Sequence, residues 1–235
     1  KLTRGFGQDG MGQQSTFKFV EKDFNCKETY EDAFYRRKQF LLLRKDLINN
    51  LSSNFEAAKQ DISRKPRHRK FSYVGSVNYR AKKEYRNHTW LGIYLAELPG
   101  KSGGDWQFGG KDTVQFQVAL NPTSPLWSGI YISGEANKTR KNVAELFKEE
   151  KAVCLQALRN IPSTYRIKIH KSKKQRRSSE VLGEWDPATL KETDMDTITG
   201  YLSKPEHKLE VSKRFSKKEA IDAGTAIAGK FAETF

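Results

Sequence analysis

The succession of periods along this sequence predicts an α+β domain, with a largely antiparallel sheet of about five or six strands packed against N-terminal, central and C-terminal helices. Three observations carry that expectation. Val114, Phe116, Val118 and Leu120 alternate with Gln115, Gln117 and Ala119, the two-residue period of a half-buried strand. From Asn137 the apolar spacing becomes helical, with Val143, Leu146, Phe147, Val153, Cys154, Ala157 and Leu158 on one side. The order of elements is helices, then a meander of strands, then helix, strand and helix, which favours an antiparallel sheet.

Taken in order, residues 1–16 are rich in Gly and Gln without an apolar period, which predicts an arm or linker before a single domain over 17–235. Gly5 to Gly10 spells GxGxxG, but no strand precedes it and no helix follows, so the phosphate-binding context is missing. Phe17 to Phe24 suits a short strand. Glu28 to Asn50 predicts a helix with Tyr30, Phe34, Leu41 and Ile48 on one face and Arg36, Arg37, Lys38 and Lys45 outside it. Ser53-Asn54-Phe55-Glu56 has the form of a capping box opening a second helix. Pro66 keeps the basic run at 64–70 from being helical.

Phe71, Tyr73, Val77 and Tyr79 alternate in a first aromatic strand, and Trp90 to Leu98 is a more continuous apolar run that suits a central strand. Arg80 to Arg86 forms a charged tip between them. Pro99 to Lys111, glycine-rich and holding Trp106, predicts a long loop. Asn121 to Pro125 breaks the next strand, and Ile130-Tyr131-Ile132 resumes an extended run. Tyr165, Ile167 and Ile169 mark a strand with one basic face, continuing into a basic loop at Lys171 to Arg177. An irregular acidic stretch opens at Trp185-Asp186-Pro187, and Asp194 to Leu202 predicts a short helix. Leu209 and Val211 mark a late edge strand. Ser216-Lys217-Lys218-Glu219 is a capping box for a final helix through Ala220, Ile221, Ile227, Phe231 and Phe235.

Charge separates the function classes. The 235 residues carry a net charge of +15, a long-range positive potential that draws polyanions. Cys26 and Cys154 have neither CxxC nor CxxH spacing, which argues against a zinc site and a disulfide framework and predicts a cytoplasmic setting. His68, His88, His170 and His207 are scattered without ligand spacing. No run is long enough to span a membrane and no signal peptide opens the chain. The start without Met and the stop at Phe235 within a helical pattern suggest a longer protein, with a further domain or partner subunit.

Basic residues interleaved with aromatics form the strongest functional pattern, since cations neutralise phosphates and rings stack on bases. The candidate contacts are Arg166, Lys168, His170, Lys171, Lys173, Lys174, Arg176 and Arg177 on the basic strand and its loop. Arg67 and Arg69 in the connector, Lys82, Lys83 and Arg86 at the hairpin tip, and Trp106 join them. Trp106 and Trp127, near glycine- or proline-rich loops, suit core packing or loop pinning first and an aromatic cage second, and Trp90 suits the core. A nuclease centre needs carboxylates and a lysine around a divalent metal; Asp186 with Glu206-x-Lys208 supplies that set, with Mg²⁺ as its cofactor. Without it, no cofactor or metal is expected.

Phe40 to Lys59 (FLLLRKDLINNLSSNFEAAK), the central hairpin and helix, and the closing KLEVSKRFSKKEA resemble a widespread uncharacterised bacterial domain family. That family shares an early helix with paired asparagines followed by an aromatic and a lysine. The hairpin and long helix ending in Tyr165-Arg166-Ile167 are similar to small domains appended to restriction-type nucleases. The resemblance implies a prokaryotic restriction or defence setting and supplies no catalytic residue. The expectation is a nucleic-acid-binding domain, for DNA rather than RNA, without membrane contact. The alternatives are the metal-dependent nuclease and a non-enzymatic scaffold for an acidic protein.

Overall fold

A computed structural model describes residues 17–25, 29–61, 71–81, 84–97, 114–121, 124–172 and 179–232. The period-2 run becomes strand β3 (Val114–Asn121), which pairs with β2 (Glu84–Glu97) on one side and β4 (Ser124–Ile132) on the other. β1 (Phe71–Ala81) completes this meander at one edge. The remaining strands are β5 (Arg166–Ser172), β6 (Ser179–Trp185) and β7 (His207–Phe215). Together they make one seven-stranded sheet in the order β1-β2-β3-β4-β7-β5-β6, with every described pairing antiparallel. The α+β class follows the expectation, with more strands than five or six.

Several elements differ from the sequence expectation. The late strand is central: β7 joins β4 to β5, and burial of one face under the helices explains the alternate apolar Leu209, Val211 and Phe215. An edge strand that the sequence reading did not expect, β6, precedes the acidic stretch and pairs with β5 across a bulge at Ile169/His170. The β1–β2 and β3–β4 ladders run further toward their turns than expected, with Ala81 paired to Glu84 and Asn121 to Ser124. Phe17 and Phe19 are buried alternately as a strand requires, yet they join no described ladder. Instead the Phe17 N–H donates to Asp46 Oδ2 at 3.0 Å, and a short helix α1 (Glu21–Phe24) follows.

Helix α2 (Tyr30–Asp61) runs 32 residues through the Ser53 capping signature. Its buried stripe is Ala33, Arg36, Phe40, Leu43 and Leu47. That stripe is turned by one residue, about 100°, from the face the sequence suggested. Arg36 is therefore inside, 1 % exposed, whereas Tyr30 is exposed. The central helix is broken into α3 (Asn137–Glu149) and α4 (Lys151–Arg159) around Glu150. α5 (Glu192–Leu202) falls where expected. At the end, Ser216 Oγ accepts from the Glu219 N–H at 3.1 Å and Glu219 Oε2 accepts from the Ser216 N–H at 2.7 Å. This capping box opens α6 (Lys217–Asp222), and α7 (Ile227–Ala232) continues after a single 3-10 turn.

Two cores form under one face of the sheet. The first packs Phe17, Phe19, α2 and α7 on Leu91, Ile93, Phe116, Val118 and Leu126. The second packs α3, α4 and α5 on Ile132, Ile167, Ile169, Leu209 and Val211. All the sheet residues named belong to the same side of the pleat in the observed registers. No described helix is long and apolar enough to cross a membrane.

Candidate nucleic-acid interface

Strand alternation sends the other half of the residues to the face that these helices do not cover. Cross-strand register lays them out in rows. Trp90, Ala119, Trp127 and Arg214 form one row, and Gly92, Gln117, Gly129, Ser212 and Arg166 the next. Gln115, Tyr131, Glu210, Lys168 and Glu184 form the third, and Lys208 and His170 follow. A cavity of about 440 Å³ opens on this face, lined by Trp90, Trp127 and Tyr131 and by Gln115, Gln117 and Ala119.

The glycines in the second row are needed for close approach. A Cβ on Gly129 would run into the Val211 carbonyl oxygen and come within 2.7 Å of Ser212 Cα, so β4 and β7 meet closely only because the side chain is missing. A Cβ on Gly92 would stand 3.1 Å from Trp90 Cζ3 and 2.9 Å from Gln115 Oε1. The indole thus lies over Gly92 and becomes part of the cavity wall. The Gln117 amide donates to Gln115 Oε1 at 2.7 Å. The pair keeps amide N–H groups of both residues and the Gln117 carbonyl for further bonds. Burial and the charges of Glu210 and Glu135 push the Tyr131 phenol up to about 12, so it stays a protonated donor.

One end of the cavity is polar: Ser133, Gly134, Glu135, Glu206 and Lys208 line it. A buried arginine builds this corner. Arg140, on the first turn of α3 and 1 % exposed, donates to the Leu202 carbonyl at the end of α5 (2.9 Å), to Asn137 Oδ1 (2.8 Å) and to the Gly134 carbonyl (3.5 Å). Arg140 belongs to the basic run KTRK at 138–141. Its burial removes it from any interface, and its desolvation lowers its pKa. Across the corner, Glu206 is left-handed at φ 66°, a conformation uncommon for a residue with a side chain. The Gly134 backbone passes so near that a Cβ there would stand 2.8 Å from the Glu206 carbonyl oxygen. Burial pushes the Lys208 amine down, opposed by the Glu135 charge.

The basic strand is less cationic in three dimensions than in sequence. Lys168 Nζ lies 3.2 Å from Glu184 Oε2, and Arg166 Nη1 lies 3.4 Å from Asp186 Oδ2. His170 Nε2 is 3.3 Å from Glu210 Oε2. Burial alone would raise the Glu210 carboxyl, but hydrogen bonds from His170 and Ser212 and the charges of His170 and Arg214 hold it below the usual carboxylate range. The strand thus has a packing reason for its basic face, in the acids of β6 and β7. Lys171, the next residue along, is exposed.

The structure does not assemble the proposed nuclease triad. Asp186 follows Trp185, which is level with Ile167 and Val211, and its carboxylate caps a 3-10 turn by accepting from the Ala188 N–H at 2.9 Å. Glu206 precedes His207 at the other end of β7, five residues from Val211, roughly 17 Å along a strand. Glu206 and Lys208 do share the cavity, with Glu135 as their acidic neighbour. Among the described residues, no group of His, Cys, Asp and Glu is arranged to hold a metal ion. Arg67, Arg69, Lys82, Lys83, Trp106, Lys173, Lys174, Arg176 and Arg177 lie outside the described residues, and of Arg86 only the backbone, on β2, is described. The strand ends bordering two of those stretches are informative: β2 ends at Glu97, β3 begins at Val114, and β5 ends at Ser172 opposite Ser179. In the sheet register these ends lie on the same side as Tyr131 and Lys208.

Sequence reasoning placed Trp90 in the core and passed over Tyr131, Gln115 and Gln117. The available signal was the polar half of the β3 alternation, together with Gly129 midway between two rings on β4. No family model matches this chain, and no curated protein matches it.

Proposed function

We propose that this chain binds nucleic acid, DNA in preference to RNA, with unstacked bases resting on the aromatic face of the sheet. The observation that carries this is the cavity walled by Trp90, Trp127 and Tyr131 and floored by a hydrogen-bonding glutamine pair. Rings supply stacking that tolerates any base, worth about 1–3 kcal/mol each, and a helix-backed antiparallel sheet holds them rigidly.

Two cations of the described strand are already paired, Arg166 with Asp186 and Lys168 with Glu184, and His170 stands against Glu210. The phosphate-binding charge is therefore assigned to Lys171, exposed near the end of β5, and to the basic stretch KKQRR at 173–177 that follows in sequence. Bases and phosphates would then have separate partners, one set of rings and one of cations. The nuclease alternative loses Asp186 and is not favoured.

A titration of the whole chain with fluorescent single-stranded and duplex oligonucleotides tests the proposal. Trp127→Ala should weaken single-strand binding roughly five- to 150-fold, the equivalent of one stacked base. Neutralising Lys171, Lys173, Lys174, Arg176 and Arg177 should flatten the slope of log K against log salt, by up to about 0.9 for each phosphate no longer neutralised. Equal affinity of Trp127→Ala and the native chain would refute the aromatic face as the interface.

A further inference from the structure

The cavity has one feature that general stacking does not require: two carboxylates, Glu135 and Glu206, at one end of a site in a chain of net charge +15. A phosphate would be repelled by that pair. A cation would be drawn to it but would meet the ammonium of Lys208 in the same corner. A neutral planar group that carries donors and acceptors side by side uses every polar element present. Its donors face the carboxylates, and its acceptors face Lys208 and the glutamine N–H groups. Its ring faces Trp127 and Tyr131.

Nucleobases with an exocyclic amine meet that description. Cytosine, adenine and guanine each place an amine beside a ring or carbonyl acceptor, and an acidic side chain accepts from such an amine. Thymine and uracil have no amine. Size limits the occupant as well. At about 440 Å³ the cavity is within the range of small-ligand pockets and takes one nucleotide unit, not a run of bases.

Building on the nucleic-acid reading above, we infer that the cavity is a single-base pocket that selects an unstacked, amine-bearing nucleobase, with Glu135 and Glu206 as the selecting groups. The corner is built for positional accuracy, since Arg140 fixes the Gly134 carbonyl and Glu206 is held left-handed against that turn. Glu135 is exposed, and a thermal melt of each variant checks that it folds.

The test uses the whole chain and single-stranded thymidine 12-mers in which one central position is dT, dC, dA or dG, with Kd read by fluorescence anisotropy. An amine-bearing base at that position should tighten binding roughly five- to 150-fold, the discrimination expected of one good base-edge contact. Glu135→Gln should shrink that preference, and Glu135→Gln with Glu206→Gln should abolish it, each read as the ratio of Kd values against the thymidine 12-mer for the same folded variant. Equal affinity for all four oligonucleotides, with binding still weakened in Trp127→Ala, overturns the base selection and leaves the stacking reading intact. So does a preference that survives the double variant. Binding of none of the four oligonucleotides overturns both. Displacement of a bound oligonucleotide by a trimethyl-lysine peptide would assign the corner to a quaternary ammonium and also overturn the inference.

Discussion

Replacing Arg140 by methionine removes one guanidinium that ties three segments together, and the structure sets the size of the effect. The side chain donates at 2.9 Å to the Leu202 carbonyl and at 2.8 Å to Asn137 Oδ1, and more weakly at 3.5 Å to the Gly134 carbonyl. A hydrogen bond involving a charged group is worth about 1.5–3 kcal/mol net. Methionine keeps most of the apolar volume of the stem, so little cavity is created, but the Leu202 carbonyl is deprived of its charged donor in a buried place. Removing two good bonds costs about 3–6 kcal/mol. For a chain of this size each kcal/mol moves Tm by about 2–4 °C, so Arg140→Met should melt roughly 6–24 °C lower. Arg140→Lys keeps the charge without the fork and should recover only part of this. Circular-dichroism melts with urea titrations are the assay, with an unchanged m-value confirming a change of stability. A Tm within about 2 °C of the native chain would show that the guanidinium is not fixed as described, and with it the geometry of the Glu135–Glu206 corner would fall.

Gly129→Ala should destabilise by about 1–3 kcal/mol in the same melts, since overpacking where β4 meets β7 has no room to relax. Gly200→Ala should do the reverse and stabilise by about 0.5–1 kcal/mol, because Gly200 is an exposed residue of α5 with nothing near its missing Cβ. Ser216→Ala should cost about 0.5–2 kcal/mol by removing the cap of α6. His207 is 6 % exposed, and burial lowers its pKa, with Lys204, Lys171 and Arg140 adding to the effect and a hydrogen bond with the Tyr201 backbone opposing it. Folding therefore favours the neutral ring. The contribution is complete above about pH 6.5, the ordinary histidine value, and is lost as pH falls through the depressed native value. Denaturant midpoints against pH should fall more gently below 6.5 in His207→Gln, and identical profiles would refute the assignment.

Strong local period made part of this fold legible. The alternation at 114–120 fixed both β3 and, through its polar half, the floor of the cavity. The Ser216 box and the 194–202 spacing marked real helices. Elsewhere tertiary packing overrode local grammar. Ser53 has a capping signature, but α2 continues through it and packs along β1 and β2. The FLLL run at 40–43 is apolar at every position, so its period cannot say which face is buried, and packing chose Phe40 and Leu43. The break at Glu150 carries no Gly or Pro to announce it. Charge was the most misleading cue. Arg36 and Arg140 belong to basic clusters that look solvated, yet both are inside, and the cations of β5 are matched by acids distant in sequence. Such pairings depend on which strands become neighbours, and nothing local specifies that.

The place of β7 has a consequence for the order in which the molecule is made. The β1–β4 meander and the β5–β6 hairpin share no ladder of their own, and β7 is the keystone between them. A ribosome delivers it after both. Between the end of β6 at Trp185 and the end of β7 at Phe215, synthesis at about 5–20 residues per second takes roughly 1.5–6 s. During that interval the facing edges of β4 and β5 stand unpaired, apolar on one side, and open to another chain. A nascent chain arrested before residue 207 should therefore bind a holdase chaperone or self-associate, whereas one released after residue 232 should not.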